Sequence, residues 1–125
     1  MAKARILIVE DEHIVAWDLQ RRLTSLGHTV LGVVSSGEGA IAKALELTPD
    51  LVLMDIRLPG EMDGVEAAAH IQARVQTAIV YMTAYGDERT VQRALDSNPA
   101  MVLRKPLQTA ALQSALESVL GEAEG

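Results

Sequence analysis

The sequence LVLMD, residues 51–55, decides how this chain is predicted to fold. Four apolar residues in succession, without alternation, are typical of a strand that is buried on both faces of a parallel sheet. An acidic residue stands directly at the end of this apolar run. Residues 6–11, ILIVED, repeat the same pattern near the N-terminus. Both segments therefore predict central strands whose ends carry carboxylates.

Apolar runs and helical periodicities alternate along the rest of the chain. The predicted strands are residues 6–9, 29–34, 51–54, 77–82 and 100–103, and the predicted helices are residues 13–26, 37–47, 64–74, a segment opened by Asp87-Glu88, and 108–120. The apolar side of the first helix is predicted to hold Ile14, Val15, Leu19, Leu23 and Leu26. Five strand-then-helix units predict an α/β fold with a parallel sheet.

Composition narrows the class of protein further. The chain has 125 residues, no cysteine and a net charge of −6. We expect one domain, residues 1–121, followed by a tail, 122–125, that frays, with no second output domain. The acidic balance argues against direct nucleic-acid binding, because such binders are normally basic. No apolar run is long enough for a transmembrane span and no signal peptide is visible, so a cytoplasmic protein is expected.

Chemically distinctive residues stand where the predicted strands end. They are Glu10 and Asp11, Asp55, Thr83 and Lys105. In doubly wound α/β folds the functional site lies beyond the carboxyl ends of the strands, so these side chains are expected to converge. Clustered carboxylates suit Mg²⁺, which prefers oxygen ligands. A carboxylate beside that metal can accept a phosphoryl group while a lysine neutralises charge on it.

Four motifs give the chain a family resemblance. Glu10-Asp11, the segment DIRLPGEMDG at 55–64, the segment MTA at 82–84 and Lys105-Pro106 resemble the response-regulator receiver domain of two-component signalling. The motifs fall in order at the strand ends, and the resemblance covers essentially the whole chain. It implies a flavodoxin-like (βα)5 fold, a doubly wound five-stranded parallel sheet with the order 2-1-3-4-5. It also implies a cis bond between Lys105 and Pro106.

The resemblance assigns a role to each site residue. Asp55 resembles the phospho-acceptor, Thr83 the switch hydroxyl and Lys105 the ammonium that contacts the phosphoryl group. The implied Mg²⁺ ligands are Glu10, Asp11, Asp55 and the backbone carbonyl of Arg57. The implied donor is a histidine kinase or a histidine phosphotransfer protein, and the output is contact with a downstream protein target. A homodimer is also compatible with the family, whereas a membrane partner is not expected.

Three features depart from the common family pattern. The acidic pair is Glu-Asp rather than Asp-Asp, and the segment 55–64 is one residue longer than usual. Val102 occupies the position of the usual switch aromatic. Because valine is small and stiff at χ1, we expect the response to phosphorylation in the loop Thr83–Glu88, with Tyr85 taking part, rather than at Val102.

Two other functions remain open at this point. The chain is compatible with a receiver-like binding module that is never phosphorylated. A small phosphohydrolase with an aspartyl nucleophile is less compatible, because such enzymes place a second acid two residues after the nucleophile. That position holds Arg57 in this chain. The main interpretation is therefore a signalling module that catalyses only its own phosphorylation and dephosphorylation and is otherwise not an enzyme.

Overall fold

The computed structural model describes residues 3–84 and 88–124. Within these residues, five strands alternate with five helices. They are β1 (Arg5–Val9), α1 (His13–Ser25), β2 (Thr29–Val34), α2 (Gly37–Leu47), β3 (Leu51–Asp55), α3 (Gly64–Gln72), β4 (Ala78–Thr83), α4 (Glu88–Asp96), β5 (Met101–Arg104) and α5 (Thr109–Glu124). The strands form one sheet in the order β2-β1-β3-β4-β5, and every pairing is parallel. The predicted fold class and strand order are thus confirmed.

The sheet separates two apolar layers. Successive side chains of a strand point to opposite faces, so Ile6 and Ile8 of β1 pack with α1 and α5, while Leu7 and Val9 pack with α2, α3 and α4. All five residues of β3 are buried. This burial explains why the central strands read as continuous apolar runs.

Two helix ends follow the sequence signals closely. Asp63 caps α3 in a capping box, in which its carboxylate accepts a hydrogen bond from the backbone N–H of Glu66 while the Glu66 side chain accepts from that of Asp63. Gly27 follows α1 with φ of +96°, a left-handed conformation that favours glycine. The bond between Lys105 and Pro106 is cis, as the resemblance implied.

Two helix predictions need correction. The helical pattern predicts Ile14 on the buried side of α1, but its side chain is 83% exposed. The buried series continues at Ala16, Leu19 and Leu23, and Ile14 lies one position outside the spacing that faces the sheet. Helix α5 continues to Glu124, beyond its predicted end at Leu120. Fraying of residues 122–125 stays a prediction.

Candidate functional site

The carboxyl ends of the central strands bring three charged side chains into one buried cluster. Lys105 Nζ lies 2.6 Å from Glu10 Oε1 and 3.0 Å from Asp55 Oδ2. Glu10 is 1% exposed and Asp55 is 6% exposed. Two buried carboxylates therefore share one ammonium, which is an arrangement with an unbalanced negative charge.

A third carboxylate completes a group of possible metal ligands. One oxygen each from Glu10, Asp11 and Asp55 lies within 4.8 Å of the others. Asp11 is exposed, so this face of the cluster is open to solvent. An open set of carboxylate oxygens suits Mg²⁺, which keeps several waters and a few protein ligands. The structure thus places three of the four predicted ligand residues together, and their oxygen chemistry fits the ion.

Arg57 lies close behind the acceptor. Its backbone N–H donates a hydrogen bond of 3.2 Å to Asp55 Oδ1. Its side chain is exposed. The role of the Arg57 carbonyl as a metal ligand stays a prediction.

The electrostatics of the cluster favour a proton on Asp55. Burial, together with a hydrogen bond to Glu10, raises the pKa of Asp55 to about 7, although Lys105 acts in the opposite direction. Burial also acts to raise the pKa of Glu10, but hydrogen bonds from Lys105 and Asp55 outweigh it and the pKa falls below its usual value. Burial acts to lower the pKa of Lys105, and its two carboxylate partners raise it overall. Near neutral pH and without a bound cation, the Asp55 carboxyl is thus divided between its ionised and its protonated form.

A glycine sets the backbone around Asp55. The N–H of Gly64 donates a hydrogen bond of 2.8 Å to the carbonyl of Ile56. A Cβ atom at position 64 would lie 2.1 Å from the carbonyl oxygen of Asp55. Because the start of α3 lies this close to the end of β3, only glycine fits there. The sequence marked Gly64 as part of a motif but did not reveal this reason.

The long segment after Asp55 is anchored on a neighbouring helix. Met62 packs against the start of α2, where a Cβ on Gly37 would lie 2.9 Å from its Cγ. Gly60 has φ of +92°, so the turn before Met62 uses a conformation available to glycine. The segment thus turns at Gly60, and its Met62 end rests on α2.

Thr83 stands at the end of β4, beside the acceptor strand. It is 4% exposed, and its hydroxyl donates a hydrogen bond of 3.2 Å to the carbonyl of Ala84. Its own carbonyl accepts a hydrogen bond of 2.7 Å from the backbone N–H of Lys105. The two predicted phosphoryl-contacting residues are therefore joined through the backbone. Tyr85, which was expected to take part in the switch, lies outside the described residues.

Val102 occupies the sheet position next to the core tyrosine. It pairs in register with Tyr81 of β4 and is partly buried. The Tyr81 hydroxyl lies 3.5 Å from the hydroxyl of Ser97, which follows α4. Among the residues that the structure describes, the aromatic ring beside this position belongs to Tyr81 of β4 and is 1% exposed, whereas the switch position itself carries the small side chain.

The structure shows two charged contacts that sequence reasoning missed. On α1, the Arg22 guanidinium donates a hydrogen bond to the carbonyl of Leu107 and pairs with Asp18. Arg93 of α4 pairs with Asp63 at 2.8 Å. The spacing of Asp18 and Arg22 is a recognisable helix pair, but no local pattern shows which carbonyl or helix a distant arginine reaches.

A groove opens beside the cluster, between α1 and the segment that follows β5. Its volume is about 500 Å³. Ile14 and Trp17 line one side, and Lys105 and Leu107 line the other. Trp17 is 59% exposed, and the guanidinium of Arg21 lies 4.7 Å from the centre of its ring. Apolar side chains are thus presented to solvent next to the buried charges.

Comparisons with known proteins identify the family of the chain. The family model described as the response regulator receiver domain matches residues 6–117. The transcriptional regulatory protein PdtaR of Mycobacterium tuberculosis is 35% identical over 113 residues, which are 90% of this chain and 55% of PdtaR. The chain therefore spans about half the length of that relative.

Two solved structures resemble the whole fold. The signal receiver domain of a modulated diguanylate cyclase from Desulfovibrio desulfuricans has a TM-score of 0.91, with 39% identity and 98% coverage of both chains. The receiver domain of the sensor histidine kinase PA1611 from Pseudomonas aeruginosa has a TM-score of 0.85 and 32% identity, covering 96% of this chain and 99% of that one. The PA1611 structure holds a magnesium ion coordinated in its active-site cleft.

The doubly wound fold and the acidic cluster at its carboxyl edge define an α/β domain with a carboxylate site beyond the strand ends. More specifically, the chain belongs to the response-regulator receiver domain family. Receiver domains are signalling modules of two-component systems rather than enzymes in the usual sense. Among the helices in residues 3–84 and 88–124, none combines the length and hydropathy needed to cross a membrane.

Proposed function

We propose that this domain accepts a phosphoryl group on Asp55 from a phosphohistidine and thereby switches a protein-interaction surface. The observation that carries the proposal is the contact of Lys105 Nζ with Asp55 Oδ2 at 3.0 Å, inside the cluster of three carboxylates. In the transfer, a carboxylate oxygen of Asp55 forms a bond to phosphorus while the bond from phosphorus to the histidine nitrogen breaks. The ammonium of Lys105 then neutralises charge on the transferred group.

Mass spectrometry tests the acceptor directly. The wild-type protein, incubated with acetyl phosphate and Mg²⁺, is expected to gain one phosphate, and Asp55→Asn is expected to gain none. Asp96→Asn is a matched control, because Asp96 lies exposed on α4. Equal labelling of Asp55→Asn and wild type would place the acceptor elsewhere. A wild type that gains no mass would instead favour a binding module that is never phosphorylated.

The oxygens of Glu10, Asp11 and Asp55 would hold Mg²⁺, together with the carbonyl of Arg57. When bound, the ion supplies positive charge to the phosphoryl oxygens during the transfer. Asp11→Ala is expected to weaken Mg²⁺ binding measured by titration, because it removes the exposed ligand of the cluster. Glu12→Ala is the control, since Glu12 is an exposed neighbouring acid outside the cluster. Unchanged affinity in Asp11→Ala would contradict the ligand assignment.

The donor partner is a histidine kinase or a histidine phosphotransfer protein, as in the family. The groove beside Lys105 supports docking of such a partner, because Ile14 and Trp17 are exposed next to the acceptor cluster. Trp17→Ala is expected to slow transfer from a phosphorylated partner protein while leaving labelling by acetyl phosphate unchanged. Equal slowing with both donors would show that Trp17 affects the site itself.

The output is a protein contact, made in the cytoplasm, with homodimerisation as one form that it can take. A phosphoryl group adds about −1.5 to −2 charges and three acceptor oxygens at Asp55. Thr83 and Lys105 are expected to move toward these oxygens, and the loop Thr83–Glu88 with them. Amide shifts with beryllofluoride and Mg²⁺ as a phosphoryl mimic test this expectation. A response centred on β5 with a quiet loop would refute it.

A further inference from the structure

The segment that carries Lys105 is fixed at two points. At its start, the backbone N–H of Lys105 donates to the carbonyl of Thr83. At its other end, the carbonyl of Leu107 accepts a hydrogen bond from the Arg22 guanidinium on α1. The Leu107 side chain is also buried in the core beside α1 and α5. The ammonium that contacts Asp55 thus projects from a short piece of backbone held between β4 and α1.

Arg22 is itself oriented for this contact. Its Nη2 atom lies 2.9 Å from Asp18 Oδ2, one helical turn earlier on α1. One nitrogen of the guanidinium therefore faces the carboxylate while another faces the carbonyl of Leu107. The planar fork of arginine makes both contacts from one fixed geometry, which a single ammonium does less well. The Arg22 side chain is 31% exposed, so water competes only in part for these bonds.

We propose that Arg22 is a positioning residue that holds Lys105 in place for phosphorylation of Asp55. This inference rests on the proposed function, because it concerns that same reaction. Loss of the Arg22 contact frees the carbonyl of Leu107, two residues from Lys105, and removes a tie between this segment and α1. The ammonium then meets Glu10 and Asp55 in a wider range of positions. A small misplacement of this kind lowers the rate of a step that depends on orientation.

The experiment measures initial rates of Asp55 labelling by intact mass across a range of acetyl phosphate concentrations at saturating Mg²⁺. Arg22→Gln is expected to lower the saturating rate by about tenfold. Arg21→Gln is the matched control, because it removes the same charge from the adjacent exposed position, and it should label like wild type. Arg22→Lys restores one donor and should recover part of the rate. Asp18→Asn leaves Arg22 in place but weakens its orientation, and should slow labelling by a smaller factor.

A double variant separates positioning from a general structural effect. If Arg22 acts through Lys105, then adding Arg22→Gln to Lys105→Ala lowers the rate no further. A structural role would slow labelling by the same factor in both backgrounds, and this would overturn the proposal. Equal rates for Arg22→Gln and Arg21→Gln would overturn it as well, with the proposed function intact. A wild type that takes no phosphate would overturn the proposed function and the positioning role together.

Discussion

The amino ends and the carboxyl ends of the parallel strands form two edges of the sheet, here called the amino edge and the carboxyl edge. The two edges differ in how their charged and polar groups are paired. At the amino edge, the backbone N–H of Arg5 donates to Asp50 Oδ2 at 2.8 Å, and the Arg5 guanidinium donates to the carbonyls of Leu47 and Thr48. His28 Nδ1 accepts a hydrogen bond of 3.0 Å from the backbone N–H of Ala4. Each of these contacts pairs one donor with one acceptor and ties a loop to β1.

The carboxyl edge has the reverse balance. Glu10 and Asp55 are both buried there and share the single ammonium of Lys105. Because like charges are buried together, the ionised form of these carboxyls is disfavoured, and this lowers the stability of the fold. The same arrangement leaves a site that can receive a cation and a phosphoryl group. The comparison teaches that removal of a carboxylate charge at the carboxyl edge should stabilise the protein, whereas removal of a paired charge at the amino edge should destabilise it. A substitution that disturbs the backbone packing beneath the site should destabilise the protein in either case.

The largest expected effect is such a disturbance. Gly64→Ala places a Cβ 2.1 Å from the carbonyl oxygen of Asp55, so the backbone must move. We expect a loss of about 3 kcal/mol in the free energy of unfolding, measured by urea denaturation. Gly121→Ala is the control, because a Cβ on Gly121 meets no described atom within 4 Å beyond its chain neighbours and the nearby backbone of its own helix. An equal stability for the two variants would show that the close approach is easily relieved.

Removal of one charge at the carboxyl edge should stabilise the protein. The pKa of Asp55 is raised to about 7 from an ordinary value of 3.8, so the folded state disfavours the ionised carboxylate. Stability from this group is therefore gained as the pH falls through 7 and lost as it rises. At pH 8 without Mg²⁺, Asp55→Asn is expected to be more stable by on the order of 2 kcal/mol.

The pH dependence of the stability difference between Asp55→Asn and wild type provides a control for this prediction. Near pH 5, Asp55 is protonated in the folded wild type, and the difference between Asp55→Asn and wild type should shrink. Thermal unfolding at both pH values measures this change. A difference that stays constant between pH 5 and pH 8 would contradict the raised pKa of Asp55.

At the amino edge, loss of a charge should have the opposite sign. Arg5→Met removes the guanidinium that binds the carbonyls of Leu47 and Thr48 at the end of α2. Because these bonds are exposed, the expected loss is about 1 kcal/mol, with phosphorylation of Asp55 unchanged. Arg74→Met, at an exposed arginine after α3, serves as the control. A slower phosphorylation rate in Arg5→Met would show that the two edges are coupled.

The smallest expected effect is the pH response of His28. Burial lowers the pKa of His28 below 6.5, and its Nδ1 must be unprotonated to accept from Ala4. Its contribution is therefore present above pH 6.5 and is lost as the pH falls, opposite to that of Asp55. His28→Asn offers a side-chain oxygen as acceptor without titrating. We expect wild type to lose less than about 0.5 kcal/mol relative to His28→Asn between pH 7.5 and 5.5, because the ring is only partly buried.

The sequence was most informative where residue type and periodicity act together. The uninterrupted run 51–54 predicted a central strand, because burial on both faces leaves no room for alternation. The positions of Glu10, Asp55 and Lys105 at strand ends predicted that these side chains converge, since the carboxyl ends of parallel strands lie at the same edge of the sheet. The order of the strands came from the family resemblance, because nothing in local periodicity says which strand lies beside which.

The remaining features depend on distances across the fold. The contact of Gly64 with the carbonyl of Asp55 arises only when α3 is laid over β3. The reach of Arg22 to Leu107 spans 85 positions along the chain. Ile14 was misassigned because an apolar residue near a helix start fits the helical pattern whether or not it faces the sheet. Such contacts are set by the docking of elements, which helix and strand patterns do not encode.

The exposed ring at the edge of the groove gives the domain its own optical probe. Trp17 is the single tryptophan of the chain, so its emission can be excited apart from the two tyrosines. It borders the groove that also contains Lys105, and the Arg21 cation lies over its face. Anything that covers this groove excludes water from the indole and shifts its emission to shorter wavelengths. Partner engagement can therefore be followed by fluorescence in the unlabelled wild-type protein, in real time and at micromolar concentration.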